Sequence, residues 1–456
     1  MSSNELKELE AQPDIAEVNT QPRFTEANKN PRNGRRKVRW FILFLICLVT
    51  AINYIDRAII SLAAPAIQGE LRIDPAMMGI IFSAFGWSYT FTMLFSGYFL
   101  DKFGPRKVYT VSVIIWSACT FLIGTAKNVT SLIIYRLGLG AGESPSIPTN
   151  AWCVAEWFPK KERATAVGVY TGTQYIGLAF LTPVLTWIIV TFGWQTLFYG
   201  AGIIGFMIAI AWHKFYRNPK DHKSVTEEEL DYIAAGGGML GSEEKQPFSW
   251  ARIGQLLKHR QIWGMFLGQF SIMTTLFFFM TWFPTYLIEE KGLSMLNTGI
   301  YAAIPYMVAI LGTLIGGRCS DWMVSRGYST GLARKLPIIA GLLLSCAVIG
   351  GNFTNSPNLV ITFMTIAFLG QGVASTVTGA LLSDIAPKGM VGITGSSLYF
   401  VANIGGTLSP LIIGFIVSAT GSFTPALAFV SVVALIGTLS YIFVIGKVKR
   451  IELPGN

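Results

Sequence analysis

Runs of about twenty apolar residues recur along this chain, and each is long enough to cross a bilayer as a helix. Windows of that length fall at 38–62, 76–99, 108–126, 131–154, 164–190, 195–216, 262–288, 297–318, 336–353, 358–382, 391–418 and 424–446. Backbone polar groups in hydrocarbon must be satisfied internally, and a helix does this within one segment. The expected fold is therefore an all-α membrane protein with twelve transmembrane helices. Composition agrees: 52% of the 456 residues are hydrophobic and 13% are charged, against about 25% charged in soluble chains. The one long polar break, 217–260, contains "VTEEELDYI", an amphipathic helix by its pattern, followed by "GGG". It divides the spans into two six-helix halves. The organisation expected is a disordered cytoplasmic tail over 1–37, a six-helix bundle over 38–216, and a cytoplasmic linker over 217–260. A second bundle then fills 261–446, and a cytoplasmic tail closes the chain over 447–456. The opening residues are polar, with no apolar core of a secretion signal.

Lysine and arginine set the orientation. With the N-terminus inside, segments 32–39, 101–107, 159–163, 214–260, 318–335, 387–390 and 447–450 hold 27 of the 35 basic residues, and the outer loops hold only Arg72, Lys127 and Lys291. This is the positive-inside asymmetry, and it puts both termini in the cytoplasm. The formal charge of +10 then faces anionic membrane lipid, which argues against a nucleic-acid partner. Cys47, Cys119, Cys153, Cys319 and Cys346 show neither metal nor disulfide spacing and read as packing residues. His213, His222 and His259 all fall around the linker, and no nucleophile–base set or ATP-binding loop is visible. The sequence calls for no cofactor, no metal and no enzyme activity.

Four charged side chains remain inside the spans: Asp56, Arg57, Arg136 and Glu143. Each costs about 2.5 kcal/mol or more at the bilayer centre, so such groups face the protein interior and mark function by default. Asp384, near the inner end of the tenth span, is set apart from them. Asn53, Tyr54, Asp56 and Arg57 share about one turn of the first span. Arg136, Glu143 and Asn150 recur every seven residues, a polar stripe down the fourth span that drifts by about 20° per step. Between them Gly138, Gly140, Gly142 and Ser144 let a neighbouring helix approach. Burial disfavours an ionised carboxyl and a nearby arginine favours it. A carboxyl that changes arginine partners between two conformations can therefore take a proton on one side and release it on the other. An organic anion competing for the same planar guanidinium would couple to that proton reciprocally. The alternative is a static ion-pair network joining the first and fourth spans. Further polar candidates are Tyr89, Gln174, Trp282, Tyr286, Tyr306, Gln371, Ser375 and Asn403. Trp282 and Tyr286, near the outer end of the seventh span, also fit an interfacial aromatic belt.

The loop after the second span reads "GYFLDKFGPRKV", residues 97–108, and that after the eighth reads "GGRCSDWMVSRG", residues 316–327. Gly97, Asp101, Lys102, Gly104, Arg106 and Lys107 complete the pattern G-x-x-x-D-[RK]-x-G-x-[RK]-[RK]; Asp321 repeats Asp101 in the second half. An Asp at an inner helix end can hold a neighbour's basic loop, and releasing it lets two bundles part. Twelve spans, six plus six, with this motif resemble the major facilitator superfamily. More narrowly, the chain resembles the anion:cation symporter family and its bacterial sugar-acid permeases, the galactonate and glucarate proton symporters. The likeness runs through "NYIDRA" (53–58), "FSAFGWSYT" (82–90), "GESPSIPTN" (142–150), "WFPKKERA" (157–164), "QYIGLAFLTP" (174–183), "ELDYIAAGGG" (229–238) and "TWFPTYL" (281–287).

The resemblance implies proton-coupled uptake of a small organic anion by alternating access, carried out by a monomer in the bacterial inner membrane. The substrate implied is a hexonate or hexarate such as galactonate, glucarate or galactarate. It implies Asp56 and Glu143 as proton-coupling acids, Arg57 as the partner of the substrate carboxylate, and Arg136 paired near Glu143. Tyr89, Gln174 and Ser375 would meet sugar hydroxyls; Tyr54 and Asn403 join the substrate-binding set on their polarity and place in the spans alone. Two positions depart from the pattern: Thr378 stands where sugar-acid permeases carry Trp, and Tyr399 where galactonate members carry Asn. Both departures bear on the far end of the substrate. An anion exchanger, or a symporter of a hexuronate or an aromatic acid, is the competing reading.

Overall fold

The computed structural model describes residues 38–239, 250–387 and 390–452. The expected N-terminal tail, residues 240–249 of the linker and residues 453–456 lie outside the described residues. The first half contains α1 (Val38–Leu71), α2 (Pro75–Ile123), α3 (Val129–Glu143), α4 (Ser146–Trp157), α5 (Lys160–Phe192) and α6 (Trp194–Phe215). The linker carries α7 (Glu227–Ala235) and α8 (Trp250–Leu256). The second half contains α9 (Arg260–Thr281), α10 (Phe283–Glu289), α11 (Met295–Ser325), α12 (Thr330–Ser345), α13 (Pro357–Ile385), α14 (Val391–Thr420) and α15 (Thr424–Leu439). No strand occurs among the described residues.

Ten of these helices are long and apolar enough to span a membrane, α12 and α15 once the turns that continue them to Phe353 and Val444 are included. The count of twelve is reached through two interruptions. α2 has 49 residues, about 74 Å at 1.5 Å per residue against a hydrocarbon core of about 30 Å. It holds two spans, broken at Gly104, where φ is 74°, a conformation glycine adopts without steric cost. The twelfth span is α3 with α4, interrupted at Pro145. Proline cannot donate a backbone bond to Ala141, and the Ser144 hydroxyl takes that carbonyl instead at 3.0 Å. Side-chain caps start the other helices where the sequence offers them: Asp74 for α2, Asn128 for α3, Thr226 for α7 and Ser294 for α11.

The small-residue stripe works as expected. A Cβ on Gly140 would lie 2.2 Å from the Phe85 carbonyl oxygen, and one on Gly142 would lie 2.9 Å from the Trp116 amide. α3 is therefore held against both segments of α2 at backbone distance. Cys319 departs from the packing role expected of the cysteines: it is exposed on α11, whereas Cys153 is buried.

The two halves meet mainly at the end away from the basic loops. A Cβ on Gly79 would lie 2.7 Å from the Pro410 carbonyl, and one on Gly299 would lie 1.9 Å from the Thr186 hydroxyl. The Ser83 hydroxyl donates to the Thr407 carbonyl at 2.8 Å, and that of Ser418 to Asp74 at 3.3 Å. Phe82 meets Trp282 edge to face at 5.3 Å. Toward the basic end the same helices lose these neighbours. Gly97 on α2, Gly168 and Gly172 on α5, Gly379 on α13 and Gly392 on α14 have nothing within 4 Å of a notional Cβ. The halves are thus closed at one end and diverge toward the other.

Part of the linker is fastened to the first half. Glu229 of α7 is 2% exposed. Its carboxylate accepts from the backbone amides of Val38 and Arg39 at 3.1 and 3.3 Å and from the Arg39 guanidinium at 3.1 Å. Glu162 takes the other side of Arg39 at 3.0 Å. The amides at an α-helix N-terminus lack intrahelical partners, and here a carboxylate from the linker supplies them for α1.

Candidate functional site

Asp56, Arg136 and Glu143 are almost wholly buried, at 2%, 2% and 0% exposure, and Arg57 is nearly so. The Arg57 guanidinium donates through Nε to Glu143 Oε2 at 2.8 Å. It also lies 5.0 Å from the ring centroids of Tyr54, Phe85 and Tyr89, within the range of cation–π attraction. Arg136 also approaches Phe85, 4.8 Å from the same ring centroid. Its guanidinium reaches the Ile81 and Phe82 carbonyls at 3.4 Å. Both guanidinium groups therefore lie close to one phenyl ring, and each arginine keeps a different set of hydrogen-bond partners.

Arg136 stands within electrostatic range of Glu143, as expected, but the direct ion pair of Glu143 is with Arg57. Seven residues along a helix rise about 10.5 Å, so two side chains at that spacing meet only if both stretch toward each other. Arg57, on a neighbouring helix at the same depth, is closer.

Several buried polar atoms here have no hydrogen-bond partner. They are both oxygens of Asp56, Oε1 of Glu143, one terminal nitrogen on each of Arg57 and Arg136, Nδ2 of Asn53 and the Tyr89 hydroxyl. Asp56 lies beside Thr120 and within electrostatic range of Glu143 and both arginines. Asn53 lies beside Glu143 without meeting hydrogen-bond geometry. Each unpartnered buried group costs roughly 1–3 kcal/mol, more when charged. A concentration of them in one place marks a site built to take protons, water or a polar ligand.

The remaining candidates divide. Tyr54, Gln174, Ser375 and Asn403 are half-buried on α1, α5, α13 and α14. Asn403 Nδ2 donates to the Tyr399 carbonyl at 2.9 Å and approaches Met93 Sδ across the halves at 3.9 Å. Tyr399 is within electrostatic range of Tyr54 and Tyr170 on the first half. The Gln371 amide is buried with neither polar atom bonded. Trp282, Tyr286 and Tyr306 instead spend their polar atoms on the Pro410, Gly351 and Phe279 carbonyls at 2.9, 3.3 and 2.9 Å, so they serve packing. Asn150, the third member of the stripe, lies beyond the Pro145 break. It accepts from Tyr109 at 2.8 Å and donates to Thr50 at 3.1 Å, tying three helices together. Thr378 is corrected as well: its hydroxyl lies 3.2 Å from that of Tyr441 near the end of the chain. The departure at 378 thus falls in packing within the second bundle and not on a surface shared by the halves.

At the basic end, Arg106 donates twice to the His213 carbonyl, at 3.0 and 2.7 Å, where α6 ends. Lys102 folds back over Tyr98 and Phe103. In the second half Arg334 joins Asp321 at 3.0 Å and Asp384 at 3.1 Å, so Asp384 belongs to this cluster. Asp384 is set apart in the sequence by its depth; its partner Arg334, which the sequence shows only as one of the basic residues of 318–335, draws it into the cluster. Phe85 carried no signal of its own, being one aromatic among many in an apolar span.

A profile of the Major Facilitator Superfamily matches residues 46–333. The chain belongs to that superfamily. This facilitator is 43% identical over 424 residues to a D-galactonate transporter of Escherichia coli O6:H1, covering 92% of this chain and 97% of the relative. It is 42% identical over 428 residues to a probable galactarate/D-glucarate transporter of Escherichia coli K12, with 91% and 96% covered. Among solved structures, that of a D-xylose-proton symporter aligns with TM-score 0.71 at 14% identity, covering 90% of this chain and 98% of the other. An inward-facing, unoccupied bacterial homologue of the lysosomal transporter Spinster aligns with TM-score 0.67 at 20% identity. These two likenesses concern the fold alone. The facilitator is thus a multi-pass membrane transporter of twelve helices in two halves, and not an enzyme.

Proposed function

We propose that this facilitator imports a small sugar acid, a hexonate or hexarate such as galactonate, glucarate or galactarate, together with protons. The observation that carries the reading is the Arg57–Glu143 pair at 2.8 Å, buried beside the unpartnered Asp56 carboxylate. The relatives named above transport such acids by their names. An incoming carboxylate competes with Glu143 for Arg57, and the displaced acid is more easily protonated. Asp56 and Glu143 are the proton carriers in this reading. Arg57 receives the substrate carboxylate, and Arg136, within electrostatic range of Asp56 and Glu143, holds the charge balance. Tyr54, Tyr89, Gln174, Ser375 and Asn403 supply partners for hydroxyls that would otherwise be desolvated without compensation. Alternating access follows from parting the far-end contacts while the loops around Gly97, Asp101, Lys102, Gly104, Arg106, Lys107 and Asp321 engage.

The same reading assigns a bacterial cytoplasmic membrane, both termini and the linker on the cytoplasmic side, and action as a monomer. The bundles are 38–216 and 261–446. The tyrosines around Arg57 and Tyr399 favour one rival, an aromatic acid. Uptake of labelled galactonate and glucarate into cells, with and without a protonophore, tests the proposal. Accumulation abolished by the protonophore supports it. Inhibition by aromatic acids and not by sugar acids overturns the substrate. Sidedness is read by cysteines at Asn355 and Lys223 in a Cys319-free background: an impermeant maleimide on intact cells should label only position 355.

A further inference from the structure

The basic end of the second half contains a cavity of about 440 Å³, lined by His259, Arg260, Lys447, Lys449, Arg450 and Glu452 among others. One carboxylate faces four fixed cations and an imidazole. The cavity is built by a strap: after the last span, residues 446–452 fold back and are tied down at several points. Gln261 donates to the Lys447 carbonyl at 2.6 Å and Lys335 to the Gly446 carbonyl at 3.1 Å. The Ile451 amide donates to the Ile385 carbonyl at 2.9 Å, and Arg450 reaches the Ser383 carbonyl at 3.3 Å. Gly446 turns the chain at φ 65°. A Cβ there would lie 2.0 Å from a terminal nitrogen of Arg260, so glycine is what lets the strap close over that guanidinium.

Among the described residues no ion pair occupies Arg260, Lys447 or Lys449, and Arg260 lies within electrostatic range of a further cation, Lys335. Gathering like charges costs free energy unless an anion joins them. The mouth lies at the end of two spans. On the same helix ends Trp263 and Phe443 are 51% and 71% exposed, as expected of side chains meeting the membrane interface and lipid. Basic pockets between transmembrane helices at such a boundary suit phosphate-bearing headgroups.

We propose that this pocket binds the phosphate of an anionic phospholipid headgroup, tying the strap and α9 to the surrounding leaflet. The purified full-length protein in nanodiscs tests this. Phosphatidylcholine alone is compared with an equal mixture of phosphatidylcholine and phosphatidylglycerol, reading the thermal midpoint and lipid retention by native mass spectrometry. Phosphatidylglycerol should raise the midpoint of the wild type. The double variant Lys447→Gln/Lys449→Gln should lose that rise and retain phosphatidylglycerol about 30-fold less well, at about fivefold per basic side chain. Among the described residues neither side chain makes a hydrogen bond or an ion pair; Lys447 is tied down through its carbonyl. Lys220→Gln/Lys223→Gln, an equal charge change in the linker, should keep the rise. Equal loss in both variants, or no loss in the first, would overturn the site. A matching rise from inorganic phosphate in phosphatidylcholine discs would overturn the lipid as its source.

Discussion

Arg57 and Glu143, 86 residues apart in sequence, meet at 2.8 Å between α1 and the end of α3. Both side chains are almost wholly withdrawn from solvent, and three aromatic rings surround the guanidinium. Removing one partner of a buried pair strands the other charge, at roughly 3–5 kcal/mol. Glu143→Ala should therefore lower the thermal midpoint in detergent, whereas Glu143→Gln should stay folded and lose proton-driven accumulation. Concentrative uptake by Glu143→Gln at the wild-type rate would remove Glu143 from the proton path.

Asp56 needs a separate test because no hydrogen bond holds it. Asp56→Asn should leave the fold intact and abolish the dependence of uptake on an imposed pH gradient. Substrate counterflow measures what remains, and it should persist. Loss of both activities together would point to a structural role.

Arg57→Lys should be far from neutral. A lysine restores the charge but not the planar fork or the stacking among Tyr54, Phe85 and Tyr89. Apparent affinity for the anion should weaken by roughly 1–3 kcal/mol, the scale of a charge-assisted hydrogen bond. An unchanged half-saturation concentration would move the carboxylate site elsewhere.

Glu229→Ala removes the carboxylate that caps α1 and holds Arg39. A lost cap costs about 1 kcal/mol, and the disturbed buried arginine adds to it, although Glu162 remains. The thermal midpoint should fall, and Glu229→Gln should recover part of the loss. An unchanged midpoint in Glu229→Ala would mean that the linker contact does not stabilise the first bundle.

Gly79→Leu should prop the far end open, since even a Cβ would meet the Pro410 carbonyl at 2.7 Å. A cysteine at Ser418 should then react faster with an impermeant maleimide added outside, and net transport should fall. Unchanged reactivity would show that α2 and α14 separate there without using this contact.

The four intramembrane charges were legible because hydrocarbon makes them expensive; nothing else in an apolar span stands out so clearly. Their partners were not legible. Periodicity along one helix put Arg136 and Glu143 on a common face, but rotation and depth of a second helix decided that Arg57 takes the carboxylate. Thr378 illustrates the same limit: its partner Tyr441 lies 63 residues away, and no local pattern reports which neighbour a helix face meets. Arg334 could have drawn Asp384 into the basic-end cluster only once α12 and α13 were known to lie side by side. The glycine stripe of α3 was readable because close approach leaves little else that fits.

The seam between α2 and α14 runs through Gly79, Ser83 and Gly86 on one side and Thr407, Pro410 and Gly414 on the other. It is backbone against backbone with hydroxyls between, and none of these groups titrates or carries charge. Parting this stretch is therefore electrically silent; the carboxylate of the seam stands at its outer edge, where Ser418 donates to Asp74. Voltage and acidity act on the cycle through charged groups outside this stretch, the cluster in the middle of the protein among them, and the stretch follows as a neutral door.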